Sequence, residues 1–309
     1  MIYTVTLSPA RDRSICVNGF APGKLNRAVS VRDDPGGKGI NVSKLIHVLD
    51  GRSTALCVLG GETGRYIERA LKDMGIDVEA AFSEHETRTN IKVFDTASGE
   101  TTDINENAHA DPEAAGKLFD RLQSVVRSGD ICVFAGKIDT SSADIAAWIR
   151  TLKAAGVKVF LDTEGEALRQ GAAASPYMIK PNEYELAEIC GSVPLDENAL
   201  AQAALSLSDT LGIDTVFISL GSRGALAARG GRVYAALTAP RVRVQCTTGA
   251  GDAVTAALAY AEETHMPFEA ACRLSMACGA ASVMMPGTQS PEKSLILSLI
   301  NDVEIRRLL

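Results

Sequence analysis

Several features of membrane, secreted and nucleic-acid-binding proteins are missing from this sequence of 309 residues. No apolar run is long enough to span a bilayer. Residues 1–7 lack the basic and long apolar segments of a signal peptide. The net charge is −7 and like charges form no block, which argues against nucleic acid or an anionic membrane as a partner. We therefore expect a cytoplasmic protein that binds neither.

Frameworks of disulfides or metal ions are also missing. The seven cysteines are an odd number, form no Cys-x-x-Cys pair and mostly lie in apolar segments, so we expect reduced thiols. The four histidines are scattered and never stand at metal-ligand spacing. The sequence contains no Walker A motif and no Asp-Phe-Gly kinase signature. Any phosphate chemistry must therefore use another cradle.

One candidate cradle is the stretch Thr247-Thr248-Gly249-Ala250-Gly251-Asp252-Ala253. Polar and apolar residues alternate over 241–246, which predicts a strand with one buried face. Alanine is frequent over 253–261, which predicts a helix. The first N–H groups of a helix have no internal partner, and the helix dipole adds positive potential there. A glycine turn from strand to helix therefore predicts a phosphate site.

Asp252 in this stretch has two interpretations. A carboxylate repels a neighbouring phosphate, so its presence at a phosphate site suggests a function. Removing a proton from an attacking hydroxyl is such a function. Aspartate also commonly caps a helix N-terminus. The stretch alone does not decide between a catalytic base and a cap.

Strand and helix patterns alternate along most of the chain, ending in a helix predicted near 291–308. This alternation predicts a mostly parallel sheet with helices on both faces. Two alternating pairs, over 14–32 and 90–105, do not fit and predict one small antiparallel sheet. We expect an α/β domain of residues 1–12, 34–86 and 108–309, with 13–33 and 87–107 forming a β lid over the carboxyl ends of the strands.

Further motifs have both a functional and a structural interpretation. Gly36-Gly37-Lys38-Gly39-Ile40-Asn41 offers backbone N–H groups, a cation and an amide to an anion, or is a flexible loop. Asn182 and Glu185 share one face of a helix start, which suits hydrated Mg²⁺ or a helix cap. The segment 219–225 either holds a nucleotide or only turns the chain. Arg88, Asn90 and Lys92 project from one side of a lid strand, toward an anionic substrate or toward solvent.

The order of these motifs resembles the PfkB (ribokinase-like) sugar kinase family over essentially the whole chain. The motifs that carry the resemblance are Asp12, Gly-Gly-Lys-Gly-Ile-Asn, Asp162-Thr163, Lys-Pro-Asn-x-x-Glu, Ser-Leu-Gly-x-x-Gly-Ala, Gly-Ala-Gly-Asp and Pro-Gly-Thr. Within the family, Thr6-Leu7-x-Pro9-Ala10-x-Asp12, Arg88-Thr89-Asn90-Ile91-Lys92 and Thr102-Asp103-Ile104-Asn105-Glu106 are similar to the 1-phosphofructokinase and tagatose-6-phosphate kinase branch.

The resemblance implies a ribokinase-like three-layer α/β fold with a mostly parallel central sheet and a small antiparallel β lid. It also implies an enzyme that uses ATP and Mg²⁺, and paired lids in a homodimer. The implied roles are: Asp252 as general base; Gly249, Ala250 and Gly251 at the transferring phosphoryl; Lys180, Ser219, Gly221, Gly224, Gly249 and Gly251 at the nucleotide; Asn182 and Glu185 at Mg²⁺ through water; and Asp12, Gly37, Lys38, Asn41, Arg88, Asn90 and Lys137 at the phosphosugar.

The sequence departs from this branch at three places, one of which is Ala253, where Ser or another residue commonly follows the aspartate. Ser8 stands where the branch usually has Asn, and Ala135-Gly136-Lys137-Ile138-Asp139 stands where it usually has a serine-containing turn. Either Lys137 replaces a hydroxyl contact to the sugar phosphate, or it points to water and the pocket takes another substrate. We expect fructose 1-phosphate as acceptor, with tagatose 6-phosphate, another sugar or a nucleoside as alternatives. A catalytically weak sugar-phosphate sensor is the rival from another class.

Overall fold

The structure of the protein is a computed structural model that describes residues 1–191, 196–236 and 240–308. Its strands are β1 (Ile2–Thr6), β2 (Ala10–Val17), β3 (Ala28–Gly36), β4 (Ser53–Gly60), β5 (Asp77–Ser83), β6 (Thr89–Asp95), β7 (Thr101–Asn105), β8 (Ile131–Ala135), β9 (Lys158–Asp162), β10 (Met178–Ile179), β11 (Thr215–Ser219), β12 (Ala225–Arg229), β13 (Arg232–Ala236) and β14 (Ile305–Arg307). Its helices are α1 (Lys38–Val48), α2 (Gly61–Asp73), α3 (Pro112–Val125), α4 (Ile145–Ala154), α5 (Gly165–Ala172), α6 (Glu183–Cys190), α7 (Glu197–Leu211), α8 (Ala250–Glu263), α9 (Phe268–Val283) and α10 (Lys293–Leu299).

A large sheet forms the centre of the molecule, with the strand order β14-β13-β12-β11-β10-β9-β8-β1-β4-β5. The strands from β11 to β5 are parallel, and β12, β13 and β14 add antiparallel pairs at one edge. The carboxyl ends of the parallel strands therefore meet at one rim of the sheet. This arrangement confirms the predicted α/β fold and places the motif-bearing turns side by side.

Alternate residues of the central strands bury side chains against two separate helix layers. Phe134 of β8 packs with residues of α3, α4, α5 and α7 on one face. Val133, its neighbour in sequence, packs with residues of α1, α8 and α9 on the other. The second layer is rich in alanine, and Ala257 and Ala277 are completely buried. The small side chains let α8 and α9 approach each other closely and carry the start of α8 to the rim. Among the described residues, none of the helices has the length and apolarity needed to cross a membrane.

The predicted small sheet is confirmed as a separate four-stranded sheet with the order β3-β2-β6-β7. It consists of two antiparallel hairpins, β2–β3 and β6–β7, joined by a parallel β2–β6 pair. In that pair Asp12 stands opposite Asn90, next to the rim of the large sheet. The hairpins follow from the alternation over 14–32 and 90–105, but the sequence did not predict that they meet in parallel. The proposed domain boundaries stay predictions.

Two local predictions differ from the structure, and two elements were not predicted. Residues 241–246 form no strand, and four of the six are exposed, because the segment pairs with no strand of the described sheets. The predicted helix near 291–308 is wrong beyond Leu299 and a short 3₁₀ turn, since Val303 is buried and β14 pairs with β13. The sequence analysis also missed β5 and α5, whose patterns are short and interrupted by charged residues.

Candidate active site

Two cavities adjoin at the carboxyl rim of the large sheet, and each has a volume of about 570 Å³. The apolar cavity has walls that include Phe217, Val254, Met276 and Val283. The polar cavity lies between the rim and the small sheet, and charged side chains from both line it. Asn182, Ser219 and Gly251 line both cavities. A molecule in one cavity can therefore react with a molecule in the other at this shared wall.

Every residue predicted to contribute to a site lines at least one of these cavities. The polar cavity is lined by Asp12, Gly37, Lys38, Asn41, Arg88, Asn90, Lys137, Lys180, Asn182, Glu185, Ser219, Gly249, Gly251 and Asp252. The apolar cavity is lined by Asn182, Ser219, Gly221, Gly224, Ala250 and Gly251. The structure thus brings the predicted residues together, while their individual roles stay predictions.

The start of α8 forms part of the wall between the two cavities. Gly249 is its N-cap and has a φ of 89°, in the left-handed region that favours glycine. Asp252 is the third residue of the helix and does not cap it. The first N–H groups of α8 have no hydrogen-bond acceptor within the helix. They lie at the cavity walls beside Gly251. The helix start therefore offers donors and positive potential to an anion.

Asp252 is almost fully buried, with 5% of its surface exposed, yet it lines the polar cavity. Its Oδ2 accepts a hydrogen bond of 2.8 Å from Nδ2 of Asn41. Burial and the carboxylate of Asp162 raise the pKa of Asp252 to about 6, although Asn41, Lys38 and Lys180 act in the opposite direction. A carboxylate with this pKa is ionised near neutral pH and binds a proton more readily than an ordinary aspartate, as a general base requires.

Asp162, at the end of β9, connects the charged groups around Asp252. Its Oδ2 accepts a hydrogen bond of 2.7 Å from Thr255 and lies 3.3 Å from Nζ of Lys180. Nζ of Lys38 is 3.9 Å from its Oδ1. Burial lowers the pKa of Lys38, but the carboxylates of Asp162 and Asp252 outweigh it and the net shift is upward. Both lysines therefore present cations close to the start of α8.

Arg88 also lines the polar cavity and has no carboxylate partner among the described residues. Its guanidinium donates to the backbone oxygens of Glu106 and Ser8, at 3.3 and 3.4 Å. Its Nε is buried and has no hydrogen-bond partner in the described part of the chain. Burial lowers the pKa of Arg88, although Asp12 and Glu106 raise it. A partly buried cation with an unused donor is a suitable site for an anion.

Asp12 lies on the cavity-facing side of the small sheet and is held by two neighbours. Oδ1 accepts a hydrogen bond of 3.0 Å from Nδ2 of Asn90, and Oδ2 accepts one of 3.1 Å from Oγ1 of Thr288. From the sequence, the motif Pro286-Gly287-Thr288 either lines a base pocket or only ends a helix, and the contact of Thr288 with Asp12 was not predicted, because only the fold brings the C-terminal segment against β2. A fixed carboxylate of this kind can accept hydrogen bonds from the hydroxyls of a ligand.

The turn that departs from the family pattern also reaches the polar cavity. Lys137 lines the cavity, although its side chain is exposed. Asp139 accepts hydrogen bonds from the N–H and hydroxyl of Ser141, at 2.9 and 2.7 Å. Those bonds lower the pKa of Asp139 more than the charge of Lys137 does. The two residues form no ion pair in the described chain, so Lys137 keeps its donors for another partner.

Asn182 and Glu185 form a capping box at the start of α6, as the structural interpretation of this motif predicted. Oδ1 of Asn182 accepts the N–H groups of Tyr184 and Glu185, both at 2.9 Å. Oε2 of Glu185 accepts the N–H of Asn182 at 2.8 Å. Burial raises the pKa of Glu185, with a smaller opposing effect of that N–H and of Lys180. Glu185 is nevertheless only partly buried and lines the polar cavity.

Whether Asn182 and Glu185 can bind Mg²⁺ depends on which of their side-chain oxygens are free to act as ligands. No group of three or more His, Cys, Asp or Glu side chains that could hold a metal occurs among the described residues. Mg²⁺ keeps most of its waters and often binds through one or two carboxylates plus substrate phosphates. The second carboxylate oxygen of Glu185, beside the cavity, fits contact through water. The oxygen of Asn182 is already used by two N–H groups, and its role at a metal stays a prediction.

Comparison with known proteins agrees with this arrangement. A family model described as pfkB family carbohydrate kinase matches residues 4–295. The 1-phosphofructokinase of Bacillus subtilis is 34% identical over 312 residues, which cover 100% of both chains. The 1-phosphofructokinase of Borreliella burgdorferi is 33% identical over 288 residues, which cover 92% of both chains.

Solved structures of phosphofructokinase-2 from Escherichia coli have the same fold. The complex with fructose-6-phosphate has a TM-score of 0.90 and 25% identity, and covers 98% of both chains. A tetrameric inhibited form of that protein has a TM-score of 0.88 and 26% identity, covering 97% of this chain and 98% of that chain. Sequence, fold and motifs thus agree over nearly the whole length. The chain belongs to the pfkB family of carbohydrate kinases, enzymes that transfer a phosphoryl group to an alcohol.

Proposed function

We propose that the protein transfers the terminal phosphoryl group of ATP to a hydroxymethyl group of a phosphorylated ketohexose, with fructose 1-phosphate as the preferred acceptor. The product would be fructose 1,6-bisphosphate. The observation that carries the proposal is the position of Asp252, a carboxylate with a raised pKa beside the wall that two cavities share. The relatives named 1-phosphofructokinase favour this acceptor over others. ATP and phosphosugars are metabolites of the cytoplasm, where we propose that the enzyme works.

The apolar cavity suits the base of ATP, because its walls are largely aliphatic and a glycine-rich turn borders it. Gly221 and Gly224 lie at that border, and Ser219 lies where the cavity opens toward the polar one. From there the phosphates would reach Gly251 and Lys180. A Cβ atom at position 251 would lie only 3.2 Å from Nζ of Lys180, so glycine keeps this approach open.

Transfer depends on positioning and on stabilising the charge that spreads over the phosphoryl oxygens. In the proposed reaction Asp252 accepts the proton of the acceptor hydroxyl while Asn41 holds its other oxygen. The N–H groups at the start of α8, with Lys38 and Lys180, face the transferring group. Mg²⁺ would supply positive charge that neutralises the phosphates of ATP, and Glu185 is the residue that would hold it through water.

The polar cavity suits a sugar that already carries a phosphate. Arg88 and Lys137 would bind that phosphate, since both line the cavity and neither has an ionic partner in the described chain. Asp12 would accept hydrogen bonds from the sugar hydroxyls. Arg88 and Asp252 both line the cavity and contact different elements, so the phosphate and the reacting hydroxyl would be held at separate places.

The intact base argues against a sugar-phosphate sensor, which needs no general base. The test is ADP release from ATP with fructose 1-phosphate, fructose 6-phosphate, tagatose 6-phosphate, free fructose and a nucleoside. We expect the highest kcat/KM with fructose 1-phosphate, and a bisphosphate as the product. A higher value with another acceptor would replace the proposed substrate, and absence of ADP release with all five would favour the sensor.

We also propose that two copies pair through their lids. The face of the small sheet that points away from the polar cavity carries Ile15 opposite Val31 and Ile91 opposite Ile104. Val31 and Ile104 are 55% and 54% exposed. An apolar sheet face of this kind is typical of an interaction surface.

A further inference from the structure

Lys44 is a buried cation that the function described above does not use. It lies on α1, about one turn after Asn41, and only 7% of its surface is exposed. It forms no ion pair in the described parts of the chain and does not line the polar cavity. Burial lowers the pKa of Lys44, although the carboxylates of Asp34, Asp12 and Asp252 raise it. Burying an unpaired ammonium is costly, so its hydrogen bonds need an explanation.

The ammonium group of Lys44 is directed at three oxygens. Nζ lies 2.9 Å from the backbone oxygen of Thr288, 3.3 Å from that of Pro35 and 3.4 Å from Oδ1 of Asn41. An ammonium has three donors and no acceptor, so these contacts use all of its hydrogens. Lys44 therefore joins the end of the lid strand β3, the C-terminal segment and the side chain of Asn41.

The contact with Asn41 matters because an amide has two different ends. Its Oδ1 faces Lys44, and its Nδ2 donates to Oδ2 of Asp252. A rotation of the amide by half a turn would direct NH₂ at the ammonium and an oxygen at the carboxylate. Both contacts would then be repulsive. A donor-only group at position 44 permits only the orientation in which Asn41 donates to Asp252.

We propose that Lys44 is a positioning residue for the phosphoryl-transfer reaction, which orients the Asn41 amide and through it the carboxylate of Asp252. The proposal rests on the proposed function in taking Asp252 as the base. With Oδ2 held by Asn41, Oδ1 of Asp252 is left for the acceptor hydroxyl. Because Lys44 does not line the polar cavity, it acts on the reaction through Asn41 and not by touching substrate.

The contact with Thr288 extends the same effect to the sugar side. Lys44 holds the backbone oxygen of Thr288, whose hydroxyl donates to Oδ2 of Asp12. One buried ammonium thus supports the neighbours of both Asp252 and Asp12. The other charged groups that face Asp252 are Asp162 from β9, Lys38 from α1 and Lys180 after β10, and in the described chain none of them forms a side-chain hydrogen bond with Asn41.

The first test measures the pKa of Asp252 directly, by ¹³C NMR of labelled aspartate carboxyls in the protein without ligands. Asp252→Asn assigns the signal. Lys44→Met removes the ammonium and disorders the amide, so we expect the pKa of Asp252 to rise by about 0.5–1 unit. Lys44→Arg keeps a cation and donors and should restore most of the wild-type value. Lys72→Met, on the exposed surface of α2, is the matched control and should change nothing. An unchanged pKa in Lys44→Met would overturn the proposal.

The second test uses rates with the acceptor that the wild type phosphorylates fastest. Lys44→Met should lower kcat by about 10–100-fold, the range for groups that orient a functional side chain, with KM for ATP changed by less than about 3-fold. Adding Lys44→Met to Asn41→Ala should lower kcat no further, because Lys44 acts through Asn41. A full additional loss would overturn the proposal. If Lys44→Met does not fold, Lys44→Gln replaces it with the same expectations. A wild type that phosphorylates no ketohexose phosphate would refute the proposed function, while the NMR titration would still decide on Lys44.

Discussion

Asp252 shows at the scale of one residue how a site can cost stability. Burial raises its pKa from 3.8 to about 6, so the folded protein binds a proton more tightly than the unfolded chain. The proton bound to Asp252 therefore stabilises the folded protein fully below about pH 4. This stabilisation is lost as the pH rises through about 6. A shift of about two pKa units corresponds to about 3 kcal/mol.

The first prediction follows from this sign. Asp252→Asn keeps a hydrogen-bond acceptor for Asn41 but cannot ionise, so it should raise the melting temperature at pH 7.5. The difference from the wild type should disappear at pH 4, where both side chains are neutral. Thermal unfolding followed by circular dichroism at the two pH values checks this. A variant less stable than the wild type at pH 7.5 would contradict the predicted penalty.

In the wild type, kcat/KM should fall as the pH drops below about 6, because the base becomes protonated.

The second prediction concerns Arg88. Removing a charged hydrogen-bond donor from a phosphate costs about 1.5–3 kcal/mol, so Arg88→Ala should raise KM for the phosphosugar by roughly 10–100-fold. KM for ATP should change little, because Arg88 lies away from the apolar cavity. Arg65→Ala, on the exposed surface of α2 and paired with Glu62, is the control. Equal changes in both KM values would place Arg88 outside the substrate site.

The third prediction concerns Lys137, whose two interpretations remain open because its side chain is exposed and still lines the cavity. If it binds the sugar phosphate, Lys137→Ala should reduce the preference for fructose 1-phosphate over free fructose, and Lys137→Ser should partly restore it. Lys117→Ala, on the exposed surface of α3, serves as control. The same preference in all three variants would assign Lys137 to solvent.

At the scale of elements, the regular patterns were predictable and the irregular ones were not. The alanine-rich segment 253–261 was predicted to be helical and lies in α8, and the two lid hairpins follow from alternation. The alternation over 241–246 was misleading, because an alternating segment becomes a strand only when a neighbour supplies hydrogen bonds. The C-terminal segment that forms β14 was wrongly predicted to be helical for the same reason. Its structure depends on hydrogen bonds with β13, which the sequence pattern does not reveal.

The candidate site was predictable where one short motif carries it. The segments 36–41 and 249–252 each place glycines next to one charged residue, Lys38 or Asp252, in sequence. These residues also lie together at the rim of the sheet. Lys44 and Thr288 were missed because their contacts, with Asn41 and Asp12, depend on packing between distant segments. A lysine on the buried face of an amphipathic helix was the only sequence signal.

The fourth prediction belongs to the lid as an element. A charge placed among the apolar residues of its outer face should prevent pairing, since a buried unpaired lysine is costly. Ile104→Lys should therefore convert the proposed dimer to monomer in light scattering after size exclusion. Lys92 lies on the opposite face of the same sheet, so Lys92→Met is the control and should leave the mass unchanged. A wild type that is monomeric at micromolar concentration would contradict pairing through the lid.

At the scale of the whole molecule, the fold assembles one reaction centre from distant parts of the chain. Parallel strands carry their turns to a common rim, the alanine-rich layer brings the start of α8 there, and the small sheet covers it. The two cavities meet where Gly251 lines both, next to Asp252. The account as a whole therefore depends on the chemical role of one carboxylate.

The most direct measurement compares Asp252→Asn with the wild type in rate and in binding. ADP release with fructose 1-phosphate gives kcat, and calorimetry gives Kd for ATP and for the sugar separately. If Asp252 is the base, kcat should fall by roughly 10²–10⁴-fold while both Kd values stay within about 3-fold. A near-normal kcat in the Asp252→Asn variant would contradict the account, whatever the effect of the substitution on stability.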